Sequence, residues 1–141
     1  MSREGAYTLT DGVVDAETLL AVREAAGLSV YPLEQAKRGV ANSIFGVGVH
    51  QGEKVIGIGR IIGDGGFFYD IVDIAVLPEH QGRGIGKMIM KRLVDYVVEE
   101  LPPRIFVSLH ADKGATGLYE KFGFRSRGAD QPGMAFNREL L

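Results

Sequence analysis

The segment PEHQGRGIGK, residues 78–87, sets Gly82, Gly84 and Gly86 between an apolar run and an amphipathic one. Before it, FFYDIVDIAVL (67–77) is nearly continuously apolar and reads as a strand covered on both faces. After it, Ile85, Met88, Ile89, Leu93, Val97 and Leu101 share one helical face, with Lys87, Lys91, Asp95 and Glu99 largely opposite. Glycine costs backbone entropy and weakens a helix, so three of them at a helix start need a reason. The first N–H groups of a helix lack intrahelical acceptors and carry the positive end of the peptide dipoles. Glycines let an anion such as a phosphate approach those donors. Strand, glycine turn and helix therefore predict an α/β chain with an anion seat between Gln81 and Lys87.

Two common phosphate loops are excluded. A Walker A loop needs a hydroxyl after its Gly-Lys pair, and here Gly86-Lys87 is followed by Met88. The G-x-G-x-x-G spacing of a dinucleotide fold is absent. Short glycine motifs also arise from tight packing of a helix on a strand, and this alternative stays open on the motif alone.

The rest of the chain sets the context. AYTLT (6–10) reads as a first strand, DAETLLAVREAAG (15–27) as a helix stopped by Gly27, and YPLEQAKRGV (31–40) as one or two further turns opened by Pro32. SIFGVGV (43–49) and KVIGIGRII (54–62) read as a hairpin turning at HQGE, followed across DGG by the strand at 67–77. Pro102 and Pro103 end the long helix. RIFVSLH (104–110) reads as a strand and GATGLYEKFG (114–123) as a short helix. FRSRG and GMAFNREL are expected to close the chain as an antiparallel pair. The order predicts a single mixed α/β (α+β) domain over residues 1–141.

With 45% apolar and 24% charged residues the chain suits an ordinary globular core. A net charge of −2 argues against a nucleic-acid partner and leaves room for a cationic substrate. No cysteine means no thiol nucleophile, thiolate metal site or disulfide, in keeping with a cytoplasmic location. MSREGAYTLT lacks an apolar signal core, and no run approaches the length of a membrane span. His50, expected in a turn, and His80 and His110 show no metal-ligand spacing, so no metal is expected.

QGRGIG, preceded by DIAVLPEH and followed about 30 residues later by GLYEKFGF, resembles the Gcn5-related N-acetyltransferase (GNAT) family over most of residues 67–125. The resemblance implies a central mixed, mostly antiparallel sheet flanked by helices, with acetyl-coenzyme A as co-substrate. It also implies that Ile74, Ala75 and Val76 pair through their backbone with the pantetheine arm. Gln81, Gly82, Arg83, Gly84, Ile85, Gly86 and Lys87 would then hold the pyrophosphate. Where many members carry a cofactor-contacting asparagine, this chain has Asp112, followed by Lys113 as a counter-charge. The alternative for Asp112 is an N-cap of the short helix.

Amide formation from a thioester needs a base for the amine and an acid for the thiolate. Tyr119 is the candidate acid, since a phenol near pKa 10 is close to an alkyl thiol; by the family likeness it lies near the coenzyme sulfur. The alternative is a tyrosine packing beside Leu118 and Phe122. Asp70 and Asp73 interrupt an apolar strand, where a carboxylate is costly unless used or paired. Three positions apart, they would face opposite sides of a regular strand. In some histone-modifying members a glutamate base stands at the place of Asp70. Either aspartate could instead bind water or an arginine such as Arg60. Phe67, Phe68 and Tyr69 read as core aromatics or, alternatively, as a pocket lining, and Tyr31 as an acceptor contact by likeness. Ser108 and His110 share a strand face, with no third group to complete a hydrolytic triad.

The expected activity is acetyl-coenzyme A-dependent N-acetyl transfer to a primary amine of a small molecule or peptide. It would proceed by direct attack in a ternary complex, with no membrane partner. A homodimer is compatible with it. The rivals are a regulatory module that binds acyl-coenzyme A without transferring it, and a nucleotide-binding protein.

Overall fold

In the computed structural model, which describes residues 5–112 and 114–141, five strands form one sheet in the order β1-β2-β3-β4-β5. These are β1 (Tyr7–Asp11), β2 (Phe45–Gln51), β3 (Lys54–Gly63), β4 (Phe68–Val76) and β5 (Phe106–Leu109). All neighbours are antiparallel except β4 and β5, which run parallel. The helices are α1 (Ala16–Ala25), α2 (Leu33–Ala41), α3 (Ile85–Glu100) and α4 (Thr116–Glu120). The mixed, mostly antiparallel sheet with flanking helices is the architecture expected from the sequence. The residues fall into two compact units, one through Leu109 and one from His110 to Leu141.

Helix α3 packs closely on β2 and β3 because glycine on β3 makes room for it. A Cβ on Gly59 would lie 2.5 Å from Ile89 Cγ2 and 3.1 Å from Leu93 Cδ1, a clash that only a shift of the helix could relieve. The core here is Val47, Val49, Ile56, Ile58, Ile61, Ile89, Met90 and Leu93, each under 2% exposed. Burial of each large aliphatic side chain contributes about 1.5–3 kcal/mol. Phe45 stacks on Tyr96 at 4.0 Å between ring centroids, and Arg92 reaches both carboxylate oxygens of Asp11 at 2.9 Å. These contacts fix the C-terminal half of α3 on the sheet, and therefore also the direction in which its N-terminus points.

On the opposite face lie α1 and α2. Asp15 caps α1: its carboxylate accepts from Thr18 N at 2.8 Å and from Thr18 Oγ at 2.9 Å. The Thr18 N–H, and then the hydroxyl, hold the Asp15 carboxyl below the usual range. A depressed carboxyl stabilises the fold above its unfolded pKa, and that contribution is lost as pH falls through the folded one. Asp15→Ala should therefore cost about 1 kcal/mol at neutral pH. In urea titrations the gap to the parent protein should narrow under acid.

The expected closing pair did not form. Residues 124–136 contain no strand among the described residues, and the segment ends in a short 3₁₀ turn at Arg138–Leu140. Arg125 instead donates to the carbonyls of Glu120 and Phe124, and Arg127 to Gln131. Met134 and Phe136 are exposed, so in this unit no apolar layer rewards pairing, and a lone hairpin is marginal in water. His50, expected in a turn, sits in β2 opposite Thr8.

Candidate active site

The glycine stretch forms the joint between β4 and α3. After β4 the chain makes a 3₁₀ turn at Pro78–His80, and Gly82 and Gly84 follow with φ of +77° and +80°. A residue with a Cβ is strained there, and around both positions a Cβ would meet nothing within 4 Å. The loop is therefore open as well as left-handed. No side chain caps α3, and its first turn holds no acidic residue. Its N-terminal donors point away from the helix with only Lys87 as a nearby charge in that turn.

Three side chains brace the loop. Gln81 Nε2 donates to Val76 O at 3.0 Å, tying the loop to the end of β4. Arg83 Nη1 donates to Tyr7 Oη at 2.9 Å, and Tyr7 Oη lies 2.8 Å from His80 Nδ1. One Arg83 nitrogen is thus engaged with β1, a link between distant segments that no sequence motif announces.

Beside the loop, β4 is open. Its pairing with β5 covers only Phe68–Ile71, so from Val72 to Val76 that edge has no strand beside it among the described residues. A bulge marks the change: Ile58 pairs with Ala75 but Arg60 with Val72, leaving one extra residue on β4. Asp73 takes it up with φ of +59°, the one non-glycine residue of positive φ among those described. Ile74, Ala75 and Val76 follow on the open stretch.

Asp73 is held by two arginines. Arg23 Nη1 donates to one carboxylate oxygen, and Arg60 Nε donates to the other at 2.8 Å. The three side chains are 5%, 13% and 16% exposed for Asp73, Arg23 and Arg60. The bulge also cancels the alternation that would have put Asp70 and Asp73 on opposite faces. Arg60, which holds Asp73, lines the same cleft as Asp70. With both oxygens engaged by guanidinium groups, Asp73 clamps α1 to β3 at the bulge, which is the arginine-binding alternative weighed above. Asp73→Ala should lose about 3 kcal/mol, because it leaves two largely buried cations without their counter-ion. Urea denaturation measures this; a stable variant without turnover would return Asp73 to the role of base.

Asp70 lies in a different setting. It accepts from Ser108 Oγ at 3.1 Å and lines a cleft of about 640 Å³ with Phe68, Phe106, Ile62, Arg60 and Asn42. Phe67 and Phe68 are exposed and only Tyr69 is buried, so two of the three expected core aromatics stand in solvent instead. A smaller cleft of about 240 Å³, lined by Leu20, Arg23, Tyr31, Gln35 and Asp73, runs along α1 and α2. There the Tyr31 ring lies 5.4 Å from the Arg23 guanidinium carbon.

In the second unit, Tyr119 is half-buried in α4. Burial first, and the charge of Asp112 second, push its phenol above its ordinary value. The phenol therefore keeps its proton to higher pH than an ordinary tyrosine. The N-cap of α4 is Ala115, not Asp112, which contributes only its backbone carbonyl to Ala115 N at 2.9 Å. Lys113, weighed above as its counter-charge, lies outside the described residues.

Comparison with known proteins agrees with this geometry. The model of the Acetyltransferase (GNAT) family matches residues 16–124. A solved Staphylococcus aureus protein, described as a probable acetyltransferase of unknown function, is 38% identical. It has a TM-score of 0.86, covering 93% of this chain and 98% of that one. An uncharacterized ycf52-like N-acetyltransferase of Prochlorococcus marinus is 32% identical over 118 residues, 79% of this chain and 62% of the relative. A Clostridium acetobutylicum protein named a predicted acetyltransferase, solved with acetyl-CoA, shares the fold. Its TM-score is 0.74 at 17% identity, over 96% of this chain and 98% of that one. The chain spans about half the length of the curated relatives it matches.

Proposed function

As the chain belongs to the acetyltransferase (GNAT) family, we propose that it transfers an acetyl group from acetyl-coenzyme A to a primary amine by direct attack. The observation that carries this reading is the start of α3: an uncapped helix N-terminus without a first-turn acid, opened by two left-handed glycines into empty space. The backbone of Gln81, Gly82, Arg83, Gly84, Ile85, Gly86 and Lys87 would hold the pyrophosphate there. The open stretch of β4 at Ile74, Ala75 and Val76 offers backbone groups to the amides of the pantetheine arm. The Clostridium acetobutylicum neighbour solved with acetyl-CoA supports the choice of cofactor.

Bound acetyl-coenzyme A supplies an activated acetyl thioester. Asp70, with Ser108 fixing one oxygen, accepts a proton from the bound ammonium, directly or relayed through a water, so that the neutral amine attacks the thioester carbon. Asp73 holds the bulge just past the point where the pairing of β4 with β5 ends. Tyr119 gives its proton to the leaving sulfur, an assignment that rests on its place in GLYEKFGF. The sequence holds no cysteine for a thiol acyl-enzyme, in keeping with direct transfer: the amine adds to the thioester carbon and the coenzyme A thiolate leaves.

Calorimetry with acetyl-coenzyme A, followed by thiol release over a panel of primary amines, tests the proposal. Binding followed by amine-dependent thiol release is expected. Binding without release from any amine would make the chain a regulatory acyl-coenzyme A module, and tighter binding of ATP than of coenzyme A would make it a nucleotide binder.

Tyr119→Phe should lower turnover roughly 10²-fold with cofactor affinity unchanged. Because the phenol keeps its proton beyond its ordinary value, the alkaline fall in kcat should lie above about pH 10 in the parent. That limb should vanish in the variant. Full activity in the variant would make Tyr119 scaffold.

A further inference from the structure

We propose that Tyr7, on β1, is a positioning residue for acetyl-coenzyme A: its one hydroxyl holds the glycine loop on both sides of Gly82, through His80 and Arg83. The inference rests on the reading of residues 81–87 as the pyrophosphate seat and adds to it a residue from the far end of the chain.

The direction of each hydrogen bond follows from the donors available. A guanidinium only donates, so Arg83 Nη1–H runs to the Tyr7 oxygen at 2.9 Å. The phenol hydrogen is then left for His80 Nδ1, 2.8 Å away, which accepts it as a ring nitrogen without a proton. The two rings also meet edge to face, with centroids 5.6 Å apart and planes at 84°. The oxygen itself stands on a fixed frame. Strand β1 pairs with β2 along its whole length, and Asp11 at its other end is held by Arg92 of α3. Tyr7 is thus anchored to the same helix whose N-terminus the loop opens.

On the loop, His80 and Arg83 flank Gln81 and Gly82. Gln81 is bonded to Val76 O, so Gly82, at φ +77°, is the one residue from 80 to 83 without a side chain to tether it. It is also the one with the most freedom to lose. Ordering such a loop around an anion costs conformational entropy, and a loop tethered beforehand avoids much of that cost when the ligand arrives. Arg83 has no carboxylate partner among the described residues, so the brace also holds an uncompensated positive charge on the loop. Tyr7 does not line the cleft that contains Asp70. Its hydroxyl should therefore act on cofactor affinity and leave proton transfer alone.

Calorimetry with acetyl-coenzyme A on the full chain tests this with the parent, Tyr7→Phe, a loop variant combining His80→Ala with Arg83→Ala, and all three changes together. Phenylalanine keeps the ring and its edge contact and removes only the oxygen. It should raise Kd about tenfold, the effect of losing about one net hydrogen bond. The loop variant should weaken binding at least as much. Adding Tyr7→Phe to it should change nothing further, because the hydroxyl acts only through those two side chains. With any amine that the panel above finds to be acetylated, Tyr7→Phe should raise the KM for acetyl-coenzyme A about tenfold at unchanged kcat. An unmoved Kd in either folded variant overturns the inference. So does a further loss when Tyr7→Phe is added to the loop variant, or a kcat that falls along with the affinity. If acetyl-coenzyme A binds but no amine is acetylated, the transferase reading fails and the calorimetry still decides this inference. If the parent binds no acetyl-coenzyme A, the loop is not its seat and both fall.

Discussion

Gly84→Val is expected to weaken acetyl-coenzyme A binding by roughly 10³-fold, equal to about 4 kcal/mol. Gly84 is the N-cap of α3 at φ +80° and ψ +12°, a conformation that valine adopts only under strain. If the backbone keeps that conformation, the branched side chain projects into the open space in front of the first donors. If it relaxes, the N–H groups of Ile85 and Gly86 turn away from the pyrophosphate. Loss of two charge-assisted hydrogen bonds accounts for an effect of this size. The strain also costs about 1–2 kcal/mol of stability, so binding is to be measured by calorimetry well below the melting point. Gly84→Asn is the control, because asparagine tolerates the left-handed region and adds a single unbranched Cβ substituent. Equal affinity in a folded Gly84→Val protein would remove the pyrophosphate from this loop.

Asp70→Asn should reduce kcat roughly 10³-fold with little change in acetyl-coenzyme A affinity, as expected for loss of a general base. The amide still accepts from Ser108 and keeps the shape of the cleft, so the loss reports proton transfer rather than packing. Asp73→Asn is the informative partner. It preserves a residue that tolerates φ +59° but removes the charge between Arg23 and Arg60, so it should lower stability more than turnover. The opposite result, with Asp70→Asn silent and Asp73→Asn inactive, would exchange their roles.

Much of this is legible in the sequence. The strand at 68–76, the glycine joint and α3 followed from period and glycine placement, since each is a local consequence of sequence. The GLYEKFGF helix was equally legible. The role of Asp73 was not, because the alternation of a regular strand says nothing about a bulge, and its partners lie 50 and 13 residues away. Phe67 and Phe68 look like core residues by type. They are exposed because they sit at the start of β4, where Phe68 shares the face of Asp70 that opens onto the cleft, not the face on which α3 packs. The closing hairpin failed because Met134 and Phe136 are exposed and, among the described residues of their unit, find no apolar layer to face.

Amide chemical-shift mapping on a ¹⁵N-labelled chain titrated with acetyl-coenzyme A tests the central claim most directly. The claim is that the backbone at the start of α3 and the open edge of β4 hold the cofactor. The largest shifts should fall on Gln81–Lys87, with a second set on Ile74–Val76, and the first set should also appear with coenzyme A lacking its acetyl group. Saturable binding whose shifts leave residues 81–87 unmoved, or no binding at all, would contradict it.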